Sequence, residues 1–166
     1  MFHIGILVPD LESAAHRLSS LLDVTFVQPR LAQADVFDDR GAKRELELLI
    51  TYSREGPPHL ELLQSQGDEG LYAPPEHGLH HVGLWEPDPE AVLRRLQALG
   101  VGLEASQHTR EGSIIALYTE PADSAGTRFE YVNTALRPGV EEWITTSDAL
   151  PHDHSGPPAA TPDVAG

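Results

Sequence analysis

One stretch of this chain is written twice. Phe2-His3-Ile4-Gly5-Ile6-Leu7-Val8-Pro9-Asp10 near the N-terminus returns, with its spacing intact, as His80-His81-Val82-Gly83-Leu84-Trp85-Glu86-Pro87-Asp88. Setting His3 on His81 also sets Gly5 on Gly83, Pro9 on Pro87, Asp10 on Asp88 and Glu12 on Glu90. The same ungapped register carries Arg17 onto Arg95, Leu18 onto Leu96 and Leu21 onto Leu99. Identities at turn and polar positions, and not only at apolar ones, mark a duplicated module. Two copies at so long a period exclude a solenoid, which stacks many short repeats.

Each copy reads as strand, turn and helix. Residues 2–8 alternate, with His3, Gly5 and Leu7 on one face and Ile4, Ile6 and Val8 on the other, the period of a strand. Asp10 is placed to cap a helix over 11–22 whose apolar stripe is Leu11, Ala14, Ala15, Leu18 and Leu21/Leu22. Val24–Val27 reads as a short strand, residues 30–43 as polar and irregular, and Arg44–Tyr52 with His59–Gln64 as a hairpin across a Gly-Pro-Pro turn. In the second copy, strand 80–86 leads through Asp88-Pro89 into a helix near 89–99 with Gly100 at its C-cap. Strands follow near 101–105, 113–119 and 127–132. The expected fold is therefore α+β, two paired βαβββ modules forming a curved mixed sheet around a central cavity, with the helices outside. The expected boundaries are 1–65 for the first module, 66–77 for a linker rich in Gly, Pro and acids, and 78–133 for the second module. Residues 134–166 form a C-terminal tail expected to be largely disordered, with one docking turn at Glu141–Ile144 through Trp143.

The 166 residues suffice for one domain or two small modules sharing a core. With 26 acidic against 11 basic residues and a single lysine, Lys43, the formal net charge is −15, which argues against nucleic acid and anionic membranes. No apolar run approaches the roughly 18 residues that cross a bilayer, and no signal peptide opens the chain, so the expected location is cytoplasmic. Cysteine is absent, so a metal has only histidine and carboxylate ligands to use.

Four such residues stand at equivalent places in the two copies. His3 and His81 lie on the first strands; Glu61 (His59-Leu60-Glu61-Leu62-Leu63) and Glu130 (Arg128-Phe129-Glu130-Tyr131-Val132) lie on the last. A carboxylate in an otherwise apolar strand costs several kcal/mol, as an order of magnitude, if buried without a partner. Taken singly, each is an ordinary strand residue; as a repeated pair they form an N2O2 set suited to a divalent Ni, Co, Zn, Mn or Fe ion with open positions. His81 shares its face with Gly83 and is the counterpart of His3, so it is the expected ligand; His80 points the other way and is expected to be structural. His152 and His154 lie in the tail.

These motifs resemble the vicinal oxygen chelate superfamily, which includes glyoxalase I, methylmalonyl-CoA epimerase, extradiol dioxygenases and bleomycin-resistance proteins. His-Ile-Gly at His3, Leu-His-His-Val-Gly at His81 and Phe-Glu-Tyr-Val at Glu130 match the family's ligand strands, and the resemblance spans residues 2–133. Glu61 falls where glyoxalase I has Glu and the epimerase has Gln. The nearest style is the epimerase branch, by Gly78-Leu79-His80-His81, Val8-Pro9-Asp10-Leu11 and Gly112-Ser113-Ile114-Ile115-Ala116-Leu117.

The resemblance implies a metal held by His3, Glu61, His81 and Glu130, with Glu47 or Glu130 as the acid/base. Glu47 matches the epimerases' glutamate; the alternative is that Glu45 and Glu47 sit on an exposed strand face. The implied reaction is enolate stabilisation during proton transfer on a small carbonyl or acyl-thioester substrate, by an epimerase, isomerase or lyase, with a homodimer as the expected assembly. The only basic cluster near this region, Arg40, Lys43 and Arg44, does not favour a CoA tail. Two rival readings stay open: an Fe(II)-dependent dioxygenase, and a metal-free small-molecule binding or resistance protein.

Overall fold

The computed structural model describes residues 1–38, 41–65, 70–73 and 77–151, with the backbone alone at 34, 38, 46 and 65. The first module comprises β1 (His3–Leu7), α1 (Leu11–Leu22), β2 (Arg30–Asp38), β3 (Lys43–Tyr52) and β4 (His59–Ser65). The second comprises β5 (Gly78–Glu86), α2 (Pro89–Leu99), β6 (Leu103–His108), β7 (Ile114–Thr119) and β8 (Phe129–Asn133), and a last helix α3 (Arg137–Thr146) follows. The strands close into a barrel in the order β1-β4-β3-β2-β6-β7-β8-β5.

Both modules follow one plan. The first strand pairs in parallel with the fourth, β1 with β4 and β5 with β8, and the remaining pairs are antiparallel. The modules meet at β1–β5 and at β2–β6, both antiparallel, so the barrel closes within a single chain.

Local chemistry explains where the helices begin and stop. Asp10 accepts from the Ser13 N–H at 2.8 Å, and Asp88 accepts from the Ala91 N–H at 2.9 Å, each satisfying a donor that the first turn leaves orphaned. Gly100 ends α2 at φ 70°, a left-handed cap that suits glycine. The helices pack outside. Leu11 and Ala15 of α1 lie against Leu62, while Val92 and Leu96 of α2 lie against Leu117. Leu21 and Leu22, expected in the stripe of α1, are exposed. Inside the barrel, Leu7, Val36, Leu48, Leu63, Ala105, Ala116 and Tyr118 form the core.

Three segments differ from the sequence expectation. Arg30–Asp38, read as irregular, is the long strand β2. Its alternation is real but muted, with Ala32 and Val36 facing inward and Asp35 outward, and a small alanine gives little hydrophobic contrast. Val24–Val27 instead makes isolated bridges, Phe26 to Ser53 and Val27 to Ala149. The stretch after Asn133 is not a tail over 134–150. Trp143 and Ile144 of α3 pack with Phe2, Val27 and Tyr52, Trp143 Nε1 donates to the Gln28 carbonyl at 3.1 Å, and Leu150 is buried. Within the expected linker, Tyr72 is buried in the barrel core. Arg40, His152, His154 and the rest of the linker and tail expectations at 66–69, 74–76 and 152–166 lie outside the described residues. No helix among the described residues is long and apolar enough to cross a membrane.

Candidate metal centre

Strand alternation turns His3 and Gly5 of β1, and His81 and Gly83 of β5, into the barrel. Across the β1–β5 ladder His3 faces Gly83 and Gly5 faces His81, so each imidazole occupies the space that the opposite glycine leaves empty. Glu61 comes in from β4 beside Gly5, and Glu130 from β8 beside Gly83. All four side chains are buried.

Their ligand atoms converge. His3 Nε2 lies 2.8 Å from His81 Nε2, 2.8 Å from Glu130 Oε2 and 3.3 Å from Glu61 Oε2. His81 Nε2 lies 3.1 Å from each of the two carboxylate oxygens. Beyond these imidazoles, no hydrogen-bond donor among the described residues reaches Glu61 Oε2 or Glu130 Oε2. Two buried carboxylate oxygens aimed at one point are costly unless a cation meets them. Atoms bonded to one ion at about 2.0–2.2 Å stand roughly 3 Å from one another, the spacing seen here. The four residues fit a divalent metal.

The surroundings orient each ligand. Tyr52 Oη donates to Glu61 Oε1, and Tyr118 Oη donates to Glu130 Oε1, so in both modules the outer oxygen is tied back and the inner one is left for the centre. Each tyrosine stands directly across the ladder from its glutamate. Burial, then the adjacent carboxylates, push both phenols well above their usual range, which keeps them protonated as donors. Tyr72 Oη meets Tyr118 Oη at 2.6 Å, and Gln107 Nε2 donates to Tyr72 Oη at 3.3 Å.

His80 is not turned away from the site. The register of β5 against β1 slips by one residue there, and this bulge buries His80 beside His81. The Leu71 carbonyl can only accept, so His80 Nε2–H donates to it at 2.9 Å. His80 is held neutral, its pKa lowered to about 3 by burial and then by His81. Its Nδ1 is therefore an acceptor, and His81 Nδ1–H donates to it at 2.8 Å. That fixes the tautomer in which a neutral His81 offers its Nε2 lone pair to the centre.

The two halves of the centre also charge each other. Burial opposes a charged His81, but Glu130 and Glu61 outweigh it and raise the His81 pKa to about 9. Burial likewise opposes an ionised Glu130, and His81 and His3 reverse that, holding its carboxyl well below the usual range.

Glu47 is not brought to the centre. The face of β3 that looks inward carries Leu48, Ile50 and Tyr52, and Glu47 has the opposite parity. It is exposed, accepting from Gln33 Nε2 at 2.7 Å, in an outer groove with Asp35, Glu45 and His108. Tyr52, Tyr118 and Tyr72 did not stand out from the sequence. The available signal was a tyrosine near the end of each strand that precedes a glutamate strand.

The centre opens into a cavity of about 260 Å3 between the barrel and α3, walled by Phe2, Ile50, Tyr72, Trp85, Val140 and Trp143 among others. Phe2 stacks on Trp85 with ring centroids 4.1 Å apart. The wall is largely apolar and aromatic, with His3, Glu61 and Glu130 at its base.

Comparison with known proteins agrees with this architecture. Twenty-four solved chains match the fold. A methylmalonyl-CoA epimerase variant of Streptomyces coelicolor, in complex with 2-nitronate-propionyl-CoA, is similar with a TM-score of 0.57 at 16% identity, covering 80% of this chain and 95% of that one. The methylmalonyl-CoA epimerase of Mycobacterium tuberculosis is similar with a TM-score of 0.58 at 22% identity, covering 84% and 90% respectively. A hypothetical protein of Bacillus halodurans gives a TM-score of 0.51 at 17% identity, covering 80% and 92%. Among curated proteins none matches. A family model matches residues 2–118, and by it the chain belongs to the Glyoxalase/Bleomycin resistance protein/Dioxygenase superfamily.

Proposed function

We propose that this protein is a metal-dependent enzyme that moves a proton at the carbon beside a carbonyl, as an epimerase, isomerase or lyase. The observation that carries the reading is the pair of buried carboxylate oxygens, Glu61 Oε2 and Glu130 Oε2, facing His3 and His81 at the base of an apolar cavity. His3 Nε2, His81 Nε2, Glu61 Oε2 and Glu130 Oε2 would hold the ion. A divalent cation bound there supplies Lewis acidity, which stabilises the negative charge of an enolate oxygen. Every other part of the reaction falls to the chain itself. Glu130 lines the cavity and its carboxyl is held well below the usual range, so it would take the proton at Oε2 and return it as a metal glutamate displaced by the substrate. Tyr118 holds Glu130 Oε1 and keeps its own proton, so Oε2 is the oxygen that would act once it is displaced. The apolar walls keep water from competing for the enolate. The epimerases among the solved neighbours support proton transfer as the reaction class, and Glu47, on the outer face, has no part in it.

The test has two stages. Full-length protein, purified without chelators or a histidine tag, is analysed for metal per chain, and α-proton exchange of carbonyl compounds is then followed by NMR in D2O. The expected result is near-stoichiometric Ni, Co, Zn or Mn, lost in His3→Ala and Glu130→Ala, with metal-dependent exchange in the wild type alone. No metal, with both variants indistinguishable from wild type, would overturn the reading in favour of a binding protein. Iron with oxygen-dependent turnover would replace it with the dioxygenase.

A further inference from the structure

We infer that the substrate of this centre is an uncharged, ring-bearing carbonyl compound, not an anionic acyl thioester; the inference rests on the proposed function above. Charge balance comes first. Two carboxylates and two neutral imidazoles carry a formal charge of −2, which one divalent ion cancels and leaves nothing over for an anionic ligand. No lysine or arginine stands among the described residues that line the cavity. Three arginines are held by other groups. Arg128 is bound to both oxygens of Glu104 and to the His80 carbonyl, Arg54 donates to the Ser147 carbonyl, and the exposed Arg137 pairs with Glu141. Arg30 is exposed, with its guanidinium over the Trp143 ring at 4.9 Å. An anion entering such a cavity loses its hydration and meets no lysine or arginine among the described lining residues.

Shape points the same way. Phe2, Trp85, Tyr52, Tyr72 and Trp143 present rings to the cavity, and ring-on-ring contact is the best use a ligand can make of them. At about 260 Å3 the cavity lies near the lower end of ligand pockets, room for a small ring system but not for a long polar chain.

Both tryptophans of the chain, Trp85 and Trp143, line the cavity, so intrinsic fluorescence reports directly on its occupancy. Two ligands that differ in charge and otherwise by a single methyl group would be titrated into zinc-loaded protein. They are ortho-hydroxyacetophenone bearing a carboxylate para to the acetyl group, and the methyl ester of that acid. Free tryptophan titrated in parallel corrects for absorbed light. The expected result is saturable quenching by the ester, with the acid weaker by about tenfold or more. Leu136→Lys would bring an ammonium to the cavity rim, where Leu136 is already 39% exposed, so the fold should tolerate it. This variant should bind the acid more tightly relative to the ester than the wild type does. Equal or tighter binding of the acid to wild-type protein, binding of neither compound, or tighter binding of methylmalonyl-CoA than of the ester would each overturn the inference. Metal content and proton exchange are scored separately. Their absence with the ester preference intact would remove the proton-transfer reading and leave the ligand class standing.

Discussion

His81 packs its imidazole into the space above Gly5, its partner across the β1–β5 ladder, so closely that a Cβ on Gly5 would stand 2.2 Å from His81 Cε1. The duplicate relationship holds between His3 and Gly83, where the corresponding distance is 2.1 Å. The His-x-Gly of each copy is thus half of the candidate centre and half a seat for the other copy's imidazole.

Gly5→Ala and Gly83→Ala should therefore each displace one histidine. Both glycines have ordinary backbone angles, so an alanine is strained only by contact with the ring. We expect a loss of metal affinity of about 100-fold, as for loss of a group that holds a ligand in place, and destabilisation of about 1–3 kcal/mol from overpacking. Competition against a chromophoric chelator and urea unfolding measure the two effects. Wild-type metal affinity in either variant would show that the ring has somewhere else to go.

The two tyrosines make the next expectation. Tyr52→Phe leaves Glu61 Oε1 buried without its donor, and Tyr118→Phe does the same to Glu130 Oε1. Leaving a buried acceptor unsatisfied costs about 1–3 kcal/mol. In metal-free protein each variant should lose about that much in urea unfolding. Metal affinity should fall as well, because the freed carboxylate can rotate. A double variant tests independence: the two tyrosines hold different glutamates, so their stability losses should add to within about 0.5 kcal/mol unless the shared centre couples them.

The repeat made the barrel and its inward histidines and glutamates legible, because duplication fixes a strand's parity twice over: His3 and His81 had to face the same way as Gly5 and Gly83. Glu61 and Glu130 followed because a carboxylate among leucines or aromatics stands out against its strand. What failed to show had no such contrast. Ala32 is too small to mark β2 as half-buried. The sequence left Glu47 open between an acid/base and an exposed strand face; Tyr52, an odd number of positions along the same strand, faces Glu61, which puts Glu47 on the outer face. The bulge that brings His80 and His81 to one side breaks the period-2 rule on which the reading of His80 relied. Trp143 packs onto Val27 and Tyr52 across roughly ninety residues of chain or more, and no local pattern announces such a contact.

His80 is expected to act through His81. Replacing it with phenylalanine keeps a ring stacked on Tyr72 but removes the acceptor of the His81 Nδ1 proton. Loss of such a partner to a metal-binding histidine typically costs 10–100-fold in affinity, and we expect a change of about that size. Nitrogen NMR of the imidazoles separates this from a packing effect. In zinc-loaded wild type His81 should show a protonated Nδ1 and a metal-bound Nε2. In His80→Phe the Nδ1–H signal should broaden or disappear through exchange. An unchanged His81 spectrum with unchanged affinity would reduce His80 to a packing residue.

The last helix should prove to be part of the domain, not an appendage. Trp143 is buried against Phe2, Val27 and Tyr52, and its indole N–H is satisfied by the Gln28 carbonyl. Trp143→Ala removes that area and leaves a carbonyl without its donor; truncations of this kind cost about 3–5 kcal/mol. The loss should appear in a single cooperative unfolding transition, because α3 is joined to the barrel both through the core and through the Leu150 N–H to Phe26 carbonyl bond. Metal stoichiometry should be retained, since Trp143 packs on the ring of Tyr52, whose hydroxyl holds Glu61. Ligand affinity should fall more than metal affinity, because the indole forms one wall of the cavity. A loss below about 1 kcal/mol, or a separate low-temperature transition, would mean that α3 docks weakly and that the barrel is complete at Asn133.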